Sequence, residues 1–202
     1  KKLKEITIMP LSKDGISVIE KKINIKCDCL AMAGGWTPAV HLFTQSGGKL
    51  KFREEDQVYL PNTSKSKQIS IGSSNGDFNL NEIIKNLLLN VKNFLEIENT
   101  EYDSLKIECP SDNVKKNIWL LPSDKVIGKT KPFVDFQNDA TAKDIKLALR
   151  EGFRSIEHVK RYTTTGMGTD QGKLGNMHAL GIVADTAGVK MEELGTTTFR
   201  PP

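Results

Sequence analysis

Apolar and polar residues alternate along the first thirty positions. Ile6-Thr7-Ile8, Ile16-Ser17-Val18-Ile19-Glu20 and Ile23-Asn24-Ile25 carry the period of two that predicts half-buried strands, and Lys13-Asp14-Gly15 supplies a turn signal between the first two. The pattern predicts a small antiparallel meander. It leads into Cys29-Leu30-Ala31-Met32-Ala33, a continuous apolar run of the kind expected in a strand covered on both faces, which stops at Gly34-Gly35-Trp36-Thr37-Pro38. A second short strand, Gln68-Ile69-Ser70-Ile71, stops at Gly72-Ser73-Ser74-Asn75-Gly76. The period then lengthens: Ile83, Ile84, Leu87, Leu88, Val91 and Leu95 predict an amphipathic helix from about Leu80 to Leu95.

Residues 97–130 are polar and weakly periodic, broken at Cys109-Pro110 and Leu121-Pro122, with Ile118-Trp119-Leu120-Leu121 as a short strand candidate; they read as a connector. Helical character follows. Thr141-Ala142-Lys143-Asp144 has the capping-box spacing, Ile145, Leu147, Ala148 and Leu149 supply apolar surface, and Gly152 is placed to end the helix. Ser155 is placed to cap a short helix through Tyr162, and another helix is expected from about Leu174 to Ala187. Together these patterns predict an α/β arrangement up to about residue 96, a connector over 97–130 and helices beyond it. The strand, glycine loop, helix order is the grammar of a ligand crevice at the strand carboxyl ends.

Composition adjusts this picture only slightly. The chain has 202 residues, enough for one ordinary domain or two small ones, with 29 Lys plus Arg against 25 Asp plus Glu. The two signs are mixed along the chain and form no basic stripe, which argues against nucleic acid. No run approaches a membrane span, and Lys1-Lys2-Leu3-Lys4-Glu5 lacks a signal-peptide core, so the chain reads as soluble and cytoplasmic, and as a piece of something longer. Cys27, Cys29 and Cys109 form no metal or redox spacing and read as reduced thiols.

The most informative stretch is Thr163-Thr164-Thr165-Gly166-Met167-Gly168-Thr169-Asp170-Gln171-Gly172. It is flanked by Lys160-Arg161 and Lys173 and opens a helix, combining expected free N–H groups, a helix dipole and cations as phosphate binding requires. A solvated helix-turn-helix corner has the same pattern. The two earlier glycine turns fit a nucleotide crevice or ordinary strand-to-helix turns, and the fingerprint G-x-G-x-x-G is absent. His41, His158 and His178 have no metal-ligand spacing, and no catalytic group is visible.

Phe133-Val134-Asp135-Phe136-Gln137-Asn138-Asp139-Ala140-Thr141, Arg150-Glu151-Gly152-Phe153-Arg154-Ser155-Ile156-Glu157-His158 and the loop through Lys173 closely resemble the alpha subunits of heterotetrameric sarcosine oxidases, as do Gly195-Thr196-Thr197-Thr198-Phe199-Arg200-Pro201-Pro202 and Asp28 to Leu42. The resemblance implies an α/β nucleotide-binding, Rossmann-like partial domain over 1–96, the carboxyl half of a pyridine-nucleotide-disulfide-reductase-like domain. Beyond the connector it implies a small all-α module over 131–190, bacterioferritin-associated-ferredoxin-like, and a linker over 191–202 towards a folate-binding domain. Cluster-bearing relatives of that module place four cysteines where this chain has Asp135, Gln137, Asp170 and Gly175, so no iron–sulfur cluster is expected. The resemblance further implies an oxidoreductase acting on the CH–NH group of sarcosine, with beta, gamma and delta subunits as partners, FAD in the beta subunit, FMN at the contact with it, and tetrahydrofolate elsewhere. Candidate FMN neighbours are Lys160, Arg161, Thr163, Thr165, Gly166, Thr169, Gln171, Gly172, Lys173 and Arg200. Gly34, Gly35, Gly72, Ser73, Ser74, Phe78 and Asn79 are the candidates for a partial NAD site. A related amine, proline or opine dehydrogenase subunit, or a non-catalytic docking module, is the alternative.

Overall fold

The computed structural model describes residues 2–32, 34–96, 117–125 and 127–197. Helix and strand are mixed, and the strands of the described residues pair as three separate antiparallel hairpins. The first joins β1 (Glu5–Ile8) to β2 (Ile23–Lys26), with Ile6 opposite Ile25 and Ile8 opposite Ile23. The turn at Lys13-Asp14-Gly15 forms as expected. The Asp14 carboxylate accepts the Ile16 N–H at 3.1 Å, and Gly15 takes φ +73°, a conformation costly for residues with a Cβ. The run Ile16–Glu20 is not a strand and contributes only the bridge between Leu11 and Val18.

Two strands expected from sequence do not form. Cys29–Met32 is irregular, with Leu30 and Met32 exposed, and Gln68–Ile71 is extended without a partner. An apolar run signals burial, but a strand also needs a neighbouring ladder, and neither run meets one among the described residues. The parallel sheet of the expected Rossmann-like half is therefore not present in them. Ile118–Leu121 likewise forms no strand.

In place of those strands stands a hairpin that sequence reading passed over, β3 (Lys49–Arg53) with β4 (Val58–Thr63). It follows a short helix, α1 (His41–Gln45). Its turn is held by Arg53, whose guanidinium donates to the Asp56 carboxylate at 2.8 Å and to the Gly76 carbonyl at 3.0 Å. Helix α2 (Leu80–Leu95) has the expected bounds. Asn79 caps it, accepting from the Asn81 N–H at 3.0 Å, and yet no residue of α2 is buried.

The carboxyl-terminal part begins with β5 (Phe133–Asp135) and β6 (Ala140–Thr141), followed by α3 (Ala142–Arg150), α4 (Ile156–Thr163), α5 (Asn176–Ala187) and α6 (Met191–Leu194). The box at the start of α3 is real: the Asp144 carboxylate accepts the Thr141 N–H at 2.8 Å. Gly152, at φ +96°, stands just past the helix end. Helix α5 is buried over 176–184 except at the half-buried His178, as the wide spread of its apolar residues around the axis requires. Around it pack Ile145, Ala148, Leu149, Ile156 and Val159, and the same core takes in Tyr59, Leu50 and Phe52 of the β3–β4 hairpin together with Trp119.

Candidate functional site

The loop between α4 and α5 is built around a buried carboxylate. Asp135, at the end of β5, is 7% exposed. One of its oxygens accepts the backbone N–H groups of Gln137 at 2.9 Å and Asn138 at 3.0 Å, closing a turn on its own strand end. The other reaches across to the Gly166 N–H at 2.7 Å. Burial alone raises the pKa of this acid, but the hydrogen bonds from Asn138, Gly166 and Gln137 outweigh it and hold the carboxyl below the ordinary carboxylate value. Two residues on, Gln137 Oε1 accepts from the Thr169 N–H at 2.6 Å and from its hydroxyl at 2.7 Å. Asp170 completes the pattern by accepting from Leu174 N–H at 3.1 Å and Gly172 N–H at 3.3 Å.

The loop closes over Asn176, the first residue of α5. A Cβ at Gly166 or at Gly172 would overlap the Asn176 side chain, and both glycines take positive φ, +71° and +79°. The Asn176 amide in turn donates to Thr197 Oγ1 at 2.9 Å. The expectation of free loop amides is thus corrected: the N–H groups of Thr165, Gly166, Met167, Thr169, Gln171, Gly172, Lys173, Leu174 and Asn176 all have acceptors within the chain. Sequence spacing shows that a glycine loop opens a helix. Which oxygens occupy its amides depends on β5, some thirty residues upstream.

The candidates divide by position. Thr163 and Thr165 are buried and hydrogen-bonded to each other through their hydroxyls at 2.8 Å, and Gly166 and Gly172 are buried as well. Arg161 and Thr169 are exposed, while Lys160, Gln171 and Lys173 are half-buried. Among the described residues neither Lys160 nor Arg161 enters an ion pair. Arg200 and Cys109 lie outside the described residues.

The fold also draws the first glycine turn towards this loop. A side chain at Gly34 would touch the His178 imidazole on α5, and the Trp119 ring meets His178 edge-on at 5.8 Å. Burial, followed by the charge of Lys173, lowers the pKa of His41. Gly35 is exposed. The second set of candidates sits apart in sequence, at the start of α2: Gly72, Ser73 and Ser74 form a 3-10 turn, Ser74 donates to the Ile71 carbonyl at 2.9 Å, and Asn79 is engaged as the α2 cap, with Phe78 before it. Trp119, His178, Asn138 and Asn176 had no signal in the sequence beyond their residue type.

Comparison with known proteins decides the kinship of this loop and its flanks. Residues 129–202 match the family described as the sarcosine oxidase A3 domain. Across 88% of its length the chain is 38% identical to the sarcosine oxidase subunit alpha of Rhizobium meliloti (strain 1021), and over the same share 32% identical to that of Corynebacterium sp. (strain P-1). The chain is related to the sarcosine oxidase alpha subunits. It spans less than a fifth of these relatives, 18% and 19% of their lengths. In fold it is similar to L-proline dehydrogenase from P. horikoshii, with a TM-score of 0.53 at 21% identity, covering 92% of this chain and 39% of that one. The clasped loop lies within the stretch that matches the A3 domain, and the positions Asp135, Gln137 and Asp170 in it carry oxygen acceptors. At the fourth, Gly175, a Cβ would stand 2.7 Å from the Val134 carbonyl oxygen. This constellation offers no thiolate and does not fit a cluster.

Proposed function

We propose that this chain is a segment of the alpha subunit of a sarcosine oxidase, an oxidoreductase acting on the CH–NH bond of sarcosine, and that its A3 module meets FMN at a contact with the beta subunit. The observation that carries the reading is the 38% identity to such a subunit over 88% of the chain. In the complete enzyme, sarcosine is demethylated to glycine, with peroxide formed and the one-carbon unit passed to tetrahydrofolate. The amine chemistry lies outside these residues, with FAD in the beta subunit, gamma and delta subunits completing the assembly, and tetrahydrofolate bound elsewhere.

The residues present suit a flavin phosphate through side chains, not through backbone. With these loop amides and the Thr169 hydroxyl engaged internally, the cations Lys160 and Arg161 are the groups that would face an anion, with Lys173 adding positive charge on the other flank of the loop. FMN supplies the electron-carrying chemistry when bound, and this chain supplies charge and shape. Gly34, Gly35, Ser73 and Phe78 are the parts of the partial NAD site still open to a ligand, since Gly72 is buried and Asn79 and Ser74 already serve the chain itself.

The test uses the full-length subunit co-expressed with its neighbouring subunits. Lys160→Ala with Arg161→Ala is expected to lower the FMN content of the purified complex, each lost contact being worth about 1.5–3 kcal/mol. Full FMN retention in the double variant would remove these residues from the site. Sarcosine-dependent peroxide formation by the unaltered complex supports the substrate reading; oxidation of proline in its place would overturn it.

A further inference from the structure

We propose that Asp135 is the positioning residue of the loop over 164–175: its carboxylate acts as a resident anion held by the Gln137, Asn138 and Gly166 N–H groups, and so fixes the loop against the β5–β6 turn. The inference deepens the proposed function and rests on it only for the consequence to flavin. Three observations carry it. First, the two oxygens of one carboxylate divide their work, one holding Gln137 and Asn138 on its own turn and the other holding Gly166 across the gap at 2.7 Å. Second, the tie is tripled, because Asn138 Nδ2 donates to the Thr164 carbonyl at 3.1 Å and Gln137 accepts from Thr169, so the same short turn grips the loop at three places. Third, the loop has no slack: Gly166 and Gly172 both close on Asn176, where a Cβ would overlap.

Three N–H groups converging on one anion form the concave arrangement that elsewhere receives phosphate or sulfate. Here the chain fills it with its own side chain. Removing that side chain should therefore create a small anion site and loosen the loop together, and a matching small carboxylate should reverse the loosening. A purely space-filling role for Asp135 makes no such demand.

The experiment is hydrogen–deuterium exchange on the co-expressed complex containing the full-length chain, comparing the unaltered protein with Asp135→Asn and Asp135→Ala, with and without excess sodium formate, and with sodium chloride as the ionic control. Loss of charged hydrogen bonds is expected to raise exchange of peptides covering 163–176 on the order of tenfold to a hundredfold in both variants. Formate should restore protection in Asp135→Ala, which leaves room for it, and not in Asp135→Asn, whose amide fills the space and turns a donor towards donors. Unchanged exchange over 163–176, or a rise spread equally over α3 and α5 with no response to formate, would overturn the proposal. If Asp135→Ala fails to fold, Asp135→Asn decides alone: a rise confined to the loop and the β5–β6 turn supports the assignment, and any other pattern overturns it. FMN content, read on the same samples, separates the two claims. A loosened loop with full FMN leaves the positioning role standing and removes flavin from this loop.

Discussion

The phenol of Tyr59 is a buried donor on β4 whose partner, the Met191 carbonyl, opens α6 at 3.0 Å. Burial first, and then the nearby charge of Glu192, push its pKa up to about 12. Tyr59→Phe keeps the ring and orphans the carbonyl, so a loss of about 1–3 kcal/mol is expected in urea unfolding. The pH dependence has a definite sign. Because the folded phenol titrates above its ordinary value of 10.0, this contribution is intact below pH 10 and is lost as pH rises towards about 12. Alkaline melts of the unaltered protein should show that slope, and Tyr59→Phe should lack it. None of this was legible in the sequence, where Tyr59 stands in no motif. Asp135 and Gln137 entered the sequence reading only through the family resemblance, and Asp170 as one polar residue of the glycine loop. Their task as acceptors needed the fold, since the partners of the first two lie 31 and 32 residues away.

At the scale of elements, helix α5 organises its surroundings by being smooth at one point. The Trp119 ring lies directly on Gly181, where a Cβ would overlap it, and the same ring then meets His178. Gly181→Ala, harmless to an isolated helix, is expected to cost about 1–3 kcal/mol by overpacking and to expose Trp119, seen as a lower melting temperature and a red-shifted indole emission. Elements with a local cause were legible in the sequence. The α2 apolar period with its Asn79 cap, the Thr141 and Asp144 box, and Gly152 beyond α3 each depend on residues within a turn or two. The strands were legible only in part: Ile6-Thr7-Ile8 and Ile23-Asn24-Ile25 stand in the paired β1 and β2, but pairing is a relation between distant segments and the other strands were misplaced or missed. Cys29–Met32 has strand composition and no ladder, whereas Lys49-Leu50-Lys51-Phe52-Arg53 alternates cleanly and owes its strand to Val58–Thr63.

Across the whole molecule, apolar surface is divided unevenly. The core gathers around α3, α4 and α5, while Ile8, Ile16, Ile23, Leu30, Met32 and Trp36 of the first segment are exposed, together with Leu87, Leu89, Phe94 and Leu95 of α2. Apolar exposure on this scale is characteristic of surfaces that meet other protein. The 202-residue chain purified alone is therefore expected to self-associate with rising concentration, measured by size-exclusion chromatography with light scattering. A monomer at every concentration would show that these faces tolerate water. Among the described residues no helix is long and apolar enough to cross a membrane, so that exposure is not explained by a spanning segment.

The Tyr59 to Met191 hydrogen bond joins residues 132 positions apart. On a ribosome adding roughly 5–20 residues per second, the hairpin bearing Tyr59 waits about 7–26 s before its partner is even synthesised. During that interval its inner face has no α5 or α6 to cover it, so closure of this core has to wait for residue 191 and cannot be completed by the hairpin itself.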